Sequence, residues 1–167
     1  GLAVSWDNPD IWLTEPGGIS PVPSHELAPD HLYRVHALIH NGSTETPVVR
    51  MPVDFSFWSF GIGGTSTPIG STAITLSVKG AVGEPREAAI DWRTPVVPGH
   101  YCLQVRFSWP DDLQPANNLG QENVMVKRLT SPATFQFPLR NDGAEPKVFV
   151  LRSDAYQKQV PQACHPE

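Results

Sequence analysis

At 167 residues the chain is long enough to bury a substantial core, and one domain, or one domain with part of another, is expected. With 40% hydrophobic and 17% charged residues it is neither disordered nor a coiled coil. A net charge of −5 with scattered basic residues argues against a nucleic-acid binder, and no apolar run approaches the roughly 18 residues of a membrane span.

Eighteen prolines and thirteen glycines run through the whole chain, which favours short strands joined by turns. Residues 1–30 hold five prolines and read as an extended edge segment, with Ile11-Trp12-Leu13 as the first strand. Leu32 to His40 alternates, placing Tyr33, Val35, Ala37 and Ile39 on one face and Arg34, His36 and His40 on the other. Val49 to Trp58 follows, with Met51, Val53, Phe55 and Phe57 inward, and then a glycine-rich turn at Gly61, Gly63 and Gly64. Further strands are predicted at 73–78, 88–92, 101–107 and 123–127. Seven short strands with turn signals between them predict an all-β, immunoglobulin-like Greek-key β-sandwich over 1–130. In the sixth strand Tyr101, Leu103, Val105 and Phe107 face inward, and Tyr101 stands where such folds close a corner with a tyrosine hydroxyl. Cys102 is then on the outward face, so no disulfide between the sheets is expected.

The segments Asp10-Ile11-Trp12-Leu13, Val35 to Asn41, Ile90-Asp91-Trp92-Arg93-Thr94-Pro95, Pro98-Gly99-His100-Tyr101-Cys102-Leu103 and Pro115 to Val124 occur in an informative order. Together, over roughly residues 10–127, they resemble the bacterial CARDB-like group of immunoglobulin-like modules. The resemblance implies an accessory module of a secreted or cell-surface protein, generally without catalytic residues and without one ligand common to the group.

Residues 131–167 repeat the start of that pattern. Phe135 to Pro146 followed by Val148 to Leu151 parallels Val35 to Pro47 followed by Val48 to Met51, as the first two strands of a second, incomplete module would. A hairpin is marginal alone in water. Phe135, Phe137, Leu139, Phe149 and Leu151 would each forgo about 1.5–3 kcal/mol by staying exposed. Two placements are open: against the first sandwich, with Cys164 meeting Cys102 in a disulfide, or on a neighbouring chain by strand addition. Two separate thiols are the alternative to the disulfide.

Catalytic and metal patterns are sparse. No Gly-x-Ser-x-Gly elbow occurs, and Ser24-His25-Glu26 is adjacent in sequence without the spatial convergence of a triad. His36 and His40 share a strand face about 13 Å apart, too far for one zinc ion, and an exposed surface histidine is the expectation for His36. Asp111, Asp112, Asn117, Asn118 and Glu122 could supply oxygens to calcium, though turn-forming side-chain bonds explain Asn117-Asn118 better. Trp58, with Phe60 and Trp6, offers an aromatic surface for a protein interface or, alternatively, for carbohydrate. Asn41-Gly42-Ser43 matches a glycosylation acceptor. The expected function is non-catalytic: protein–protein contact or self-association through the C-terminal hairpin in an extracellular or cell-surface assembly, with a carbohydrate-binding accessory module as the alternative.

Overall fold

A computed structural model describes residues 7–59 and 64–128, together with Gly143, Glu145, Val148 and Val150. Among them eight strands form: β1 (Ile11–Thr14), β2 (Pro21–Val22), β3 (Leu32–Ile39), β4 (Val48–Ser59), β5 (Ser66–Leu76), β6 (Arg86–Arg93), β7 (Gly99–Phe107) and β8 (Leu119–Val126). One antiparallel sheet has the order β2-β1-β3-β6, the other β5-β4-β7-β8. The chain therefore crosses between sheets after β3, after β5 and after β6, giving the expected immunoglobulin-like sandwich. Of the predicted C-terminal hairpin only Gly143, Glu145, Val148 and Val150 are described, and none of the four lies in a strand.

The alternating faces meet as the sequence requires. Tyr33, Val35, Ala37 and Ile39 of β3 bury against Met51, Val53 and Phe55 of β4 and Leu103 and Val105 of β7. Fully burying side chains of this size stabilises by about 1.5–3 kcal/mol each. Trp92 of β6 packs on Phe57, ring centroids 5.6 Å apart, and Phe57 meets Tyr101 edge-on at 5.8 Å. The Tyr101 hydroxyl donates to the Val97 carbonyl at 2.7 Å, closing the predicted corner. Thr94 draws the turn before β7 onto the segment before β3: its hydroxyl donates to the Ala28 carbonyl at 2.6 Å and accepts from the His31 amide at 3.0 Å.

β8 begins at Leu119, four residues before the predicted start, and two further elements differ more from the pattern read along the chain. β5 begins at Ser66, seven residues before the predicted start, and passes through Pro68 and Gly70. A register shift against β4 between Phe55 and Ser56 accommodates them. Gly70 has φ +154°, and a Cβ there would stand 2.8 Å from Ile90 Cδ1; only glycine fits so close to the opposite sheet. The second difference is β2, two residues that pair with Leu13 and Thr14 of β1.

Beyond β2 the chain runs along the free side of β8. Leu27 is fully buried, and three backbone bonds tie the segment there: Leu27 N–H to Met125 O at 3.0 Å, Met125 N–H to Ser24 O at 2.8 Å and Lys127 N–H to Leu27 O at 2.8 Å. Leu27 and Val126 pair in parallel.

Candidate functional site

Of the residues singled out for contact, Phe135, Phe137, Leu139, Phe149, Leu151 and Cys164 lie outside the described residues. The neighbouring Val148 and Val150 are exposed. Trp58 is on the face of β4 that points away from the inter-sheet core, opposite Cys102 of β7. Its indole N–H donates to Gln104 Oε1 at 2.6 Å, which fixes the ring over that face. Cys102 points outward as expected, yet it is only 1% exposed, flanked by Trp58 and by Asn123 of β8. Gln121 Nε2 lies 3.8 Å from its sulfur.

His36 is a correction to the exposed histidine expected there. It is 8% exposed, and its ring stacks on Trp12 with centroids 5.1 Å apart and planes 5° from parallel. Nδ1 stands 2.8 Å from Glu87 Oε1 and Nε2 3.0 Å from Thr14 Oγ1. A carboxylate accepts only, so Nδ1 carries the proton, and in the neutral ring Nε2 accepts from the Thr14 hydroxyl. The series hydroxyl, imidazole, carboxylate has the order of a nucleophile relay. Thr14 is only 1% exposed, however, which closes its oxygen to a substrate. What the arrangement does is fasten β1, β3 and β6 across the outside of their sheet. Its one sequence signal is the facing of Trp12 and His36 in the β1–β3 register, which no local pattern reveals. Three other histidines also lie against carboxylates: His31 with Glu15 at 2.9 Å, His40 with Asp10 at 3.5 Å and His25 with Glu26 at 4.0 Å.

Of the oxygens considered for calcium, those of Asp112 and Glu122 have separate partners. Asp112 Oδ1 accepts from the Gln114 amide at 2.8 Å. The Asn118 backbone donates to the Pro115 carbonyl and accepts from the Phe107 N–H, while its side-chain oxygen is buried without a hydrogen-bond partner among the described residues. Glu122 faces the N-terminal segment. Among the described residues no three His, Cys, Asp or Glu side chains converge as metal ligands would. Asn41 is likewise occupied: its side-chain amide donates to the carbonyls of Thr46 and Ser77, at 2.9 and 3.0 Å, and its oxygen accepts from the Ser43 amide. That asparagine holds a turn in place.

Sheet edges are where a sandwich can add strands. β2 is two residues long and lies beside Pro23, and β6 carries Arg86, Glu87, Asp91 and Arg93. β8 is lined by residues 24–27 and by a bridge from Asp7 to Glu122. β5 differs from all three. Its eleven residues include no charged side chain, and no described residue forms a ladder on its outer side. From Gly70 to Ile74 it keeps regular register with Phe55 to Met51.

Among the described residues Glu122 is the most perturbed titratable group. It sits on the core-facing side of β8 opposite Leu103 and is 6% exposed. Burial raises its pKa to about 7; the Asp7 charge acts in the same direction, while hydrogen bonds from the Asn8 amide and the Ser24 side chain oppose the rise. The Asn8 bond is 3.0 Å. Gly120, on the same face, permits this close approach, since a Cβ there would meet Ile11 Cδ1 at 3.0 Å and Asn8 Nδ2 at 3.1 Å. Sequence pattern groups Glu122 with calcium oxygens because the Asn8 amide that binds it lies 114 residues away.

No family model and no curated protein matches the chain. Similar solved structures include a cycloisomaltooligosaccharide glucanotransferase from a Paenibacillus species, at 12% identity and a TM-score of 0.42, over 74% of this chain. The chain spans 14% of the length of that protein. The soluble domain of PmoD from a Methylocystis species is similar at 15% identity and a TM-score of 0.38, over 70% of this chain and 89% of that domain. A superoxide reductase (neelaredoxin) from Ignicoccus hospitalis gives 13% identity and a TM-score of 0.36, over 62% and 74% of the two chains.

Proposed function

We propose that this chain is a non-catalytic immunoglobulin-like module whose work is protein–protein contact, with the outer edge of β5 as a contact strand. The observation that carries this reading is the uncharged edge itself. Exposed edges in natural sheets are usually blunted by charge, shortness or cover, because unpaired N–H and C=O groups recruit other strands. β2, β6 and β8 each carry such a device; on β5 Pro68 and two register shifts bound the stretch Gly70 to Ile74, which itself has none. Thr72, Ile74 and Thr75 are also residues that favour strands. Strand addition at this edge would take its affinity from main-chain bonds and its specificity from side chains on alternate positions. The apolar alternation of Phe135, Phe137 and Leu139, a strand pattern without a core of its own in the sequence, supports a second copy as partner. The resemblance to CARDB-like modules supports an extracellular or cell-surface setting.

The test is solution mass by light scattering over a concentration series. The full chain is expected to self-associate, and Thr67→Lys with Ala73→Lys, at exposed β5 positions, to remain monomeric with unchanged thermal stability. A chain truncated after residue 130 is expected to lose association as well. A full chain that stays monomeric at every concentration overturns self-association.

A further inference from the structure

We infer that Glu122 is a proton-operated latch: residues 7–9 lie closed along the outer edge of β8 while its carboxyl is neutral, and are released to water when it ionises. This inference concerns the opposite edge of the sheet from β5 and does not depend on the reading above.

The geometry makes Glu122 the common anchor of two segments. The Asp7 backbone bridges to Glu122, the Asn8 amide donates to its Oε2, and the Ser24 side chain reaches it from the segment that lines the rest of the edge. A carboxyl this buried is held more comfortably neutral than charged, because ionisation in place forfeits hydration. The Asn8 amide and the Ser24 side chain favour the charged form, but burial outweighs them. From the N-terminal segment comes Asp7, of the same sign. From β7 comes Leu103, directly opposite, and from β1 comes Ile11 above Gly120. The segment of Ser24 also carries His25 and Glu26; Glu26 turns to Lys127 at 3.3 Å. Asp10, next along the chain, is turned toward His40. Lifting residues 7–9 restores water to the carboxylate and removes the bridge from Asp7 on the outer side of β8.

The direction follows from proton linkage. The closed form holds the proton up to about pH 7, the open form only to an ordinary carboxylate value, so protons favour closure. Closure is complete below that ordinary value and weakens as pH rises toward 7, beyond which it changes no further.

Amide hydrogen exchange on the full chain from pH 5 to 8 tests this, read as the ratio of wild type to Glu122→Gln at each pH, so that intrinsic exchange chemistry cancels. The Asn8 and Ile11 amides, the latter donating to the Asn8 carbonyl at 2.9 Å, are the reporters. Their exchange ratio is expected to climb by about tenfold or more between pH 5 and 7.5 and then level off, while Val35 and Val105 in the core stay constant. A ratio flat with pH, or core amides moving in step, would overturn the latch. Should Glu122→Gln fail to fold, carbon-13 titration of the wild-type Glu122 carboxyl beside the Asn8 amide proton decides. One shared midpoint near neutrality supports the latch, and an ordinary carboxylate midpoint refutes it.

Discussion

Tyr101 turns its hydroxyl back on the Val97 carbonyl, while its ring lies in the core against Phe57. Removing only the oxygen leaves the packing intact and a part-buried acceptor without its donor. Tyr101→Phe is therefore expected to lower stability by about 1–2 kcal/mol, seen as a lower urea midpoint at constant m-value. The corner tyrosine was legible because its whole signal is local: Pro98-Gly99 ends the turn, and the alternation of Tyr101, Leu103 and Val105 starts immediately after. His36 was not. Its alternation assigns it correctly to the outside of the sheet, and a polar residue there reads as solvated. What buries it is Trp12, 24 positions earlier and brought across by strand pairing. Glu122 escaped for the same reason at longer range.

Among the elements, β5 best shows where pattern reading stops. The alternation predicts a strand over 73–78, whereas β5 ends at Leu76, and Pro68 and Gly70 make the preceding half look like loop. Proline is excluded from a strand only where its missing N–H is needed, and at an edge beside a register shift it is not. The glycine belongs there for a different reason, the Ile90 side chain of the facing sheet. Gly70→Ala is expected to cost about 1–3 kcal/mol, combining a strained φ with overpacking against Ile90. The double variant Gly70→Ala, Ile90→Val should recover part of that loss in thermal melts, because the isoleucine Cδ1 is the atom in the way. Two-residue β2 had no legible signal at all: it exists because β1 offers Leu13 and Thr14 to pair with.

For the molecule as a whole, Glu122 gives stability a dependence on pH whose sign opposes the usual carboxylate. Its proton is held to about pH 7 in the fold against 4.5 as the ordinary value. Its contribution is thus full below 4.5 and lost as pH rises through 7. Allowing for solvent screening, wild type minus Glu122→Gln is expected to fall by about 1–2 kcal/mol between pH 4.5 and 7.5, measured by urea unfolding at each pH. A difference independent of pH would show that the carboxyl binds its proton no more tightly in the fold than in the unfolded chain. The strap of residues 24–27 has a mechanical consequence as well. It runs parallel to β8, so tension that draws residue 24 back along the chain and residue 127 forward strains the Leu27–Met125, Met125–Ser24 and Lys127–Leu27 bonds together, in shear. Antiparallel strands pulled apart from one end yield one bond at a time. Here three must break at once, and the sandwich resists stretching between these points more strongly than its small number of strap bonds suggests.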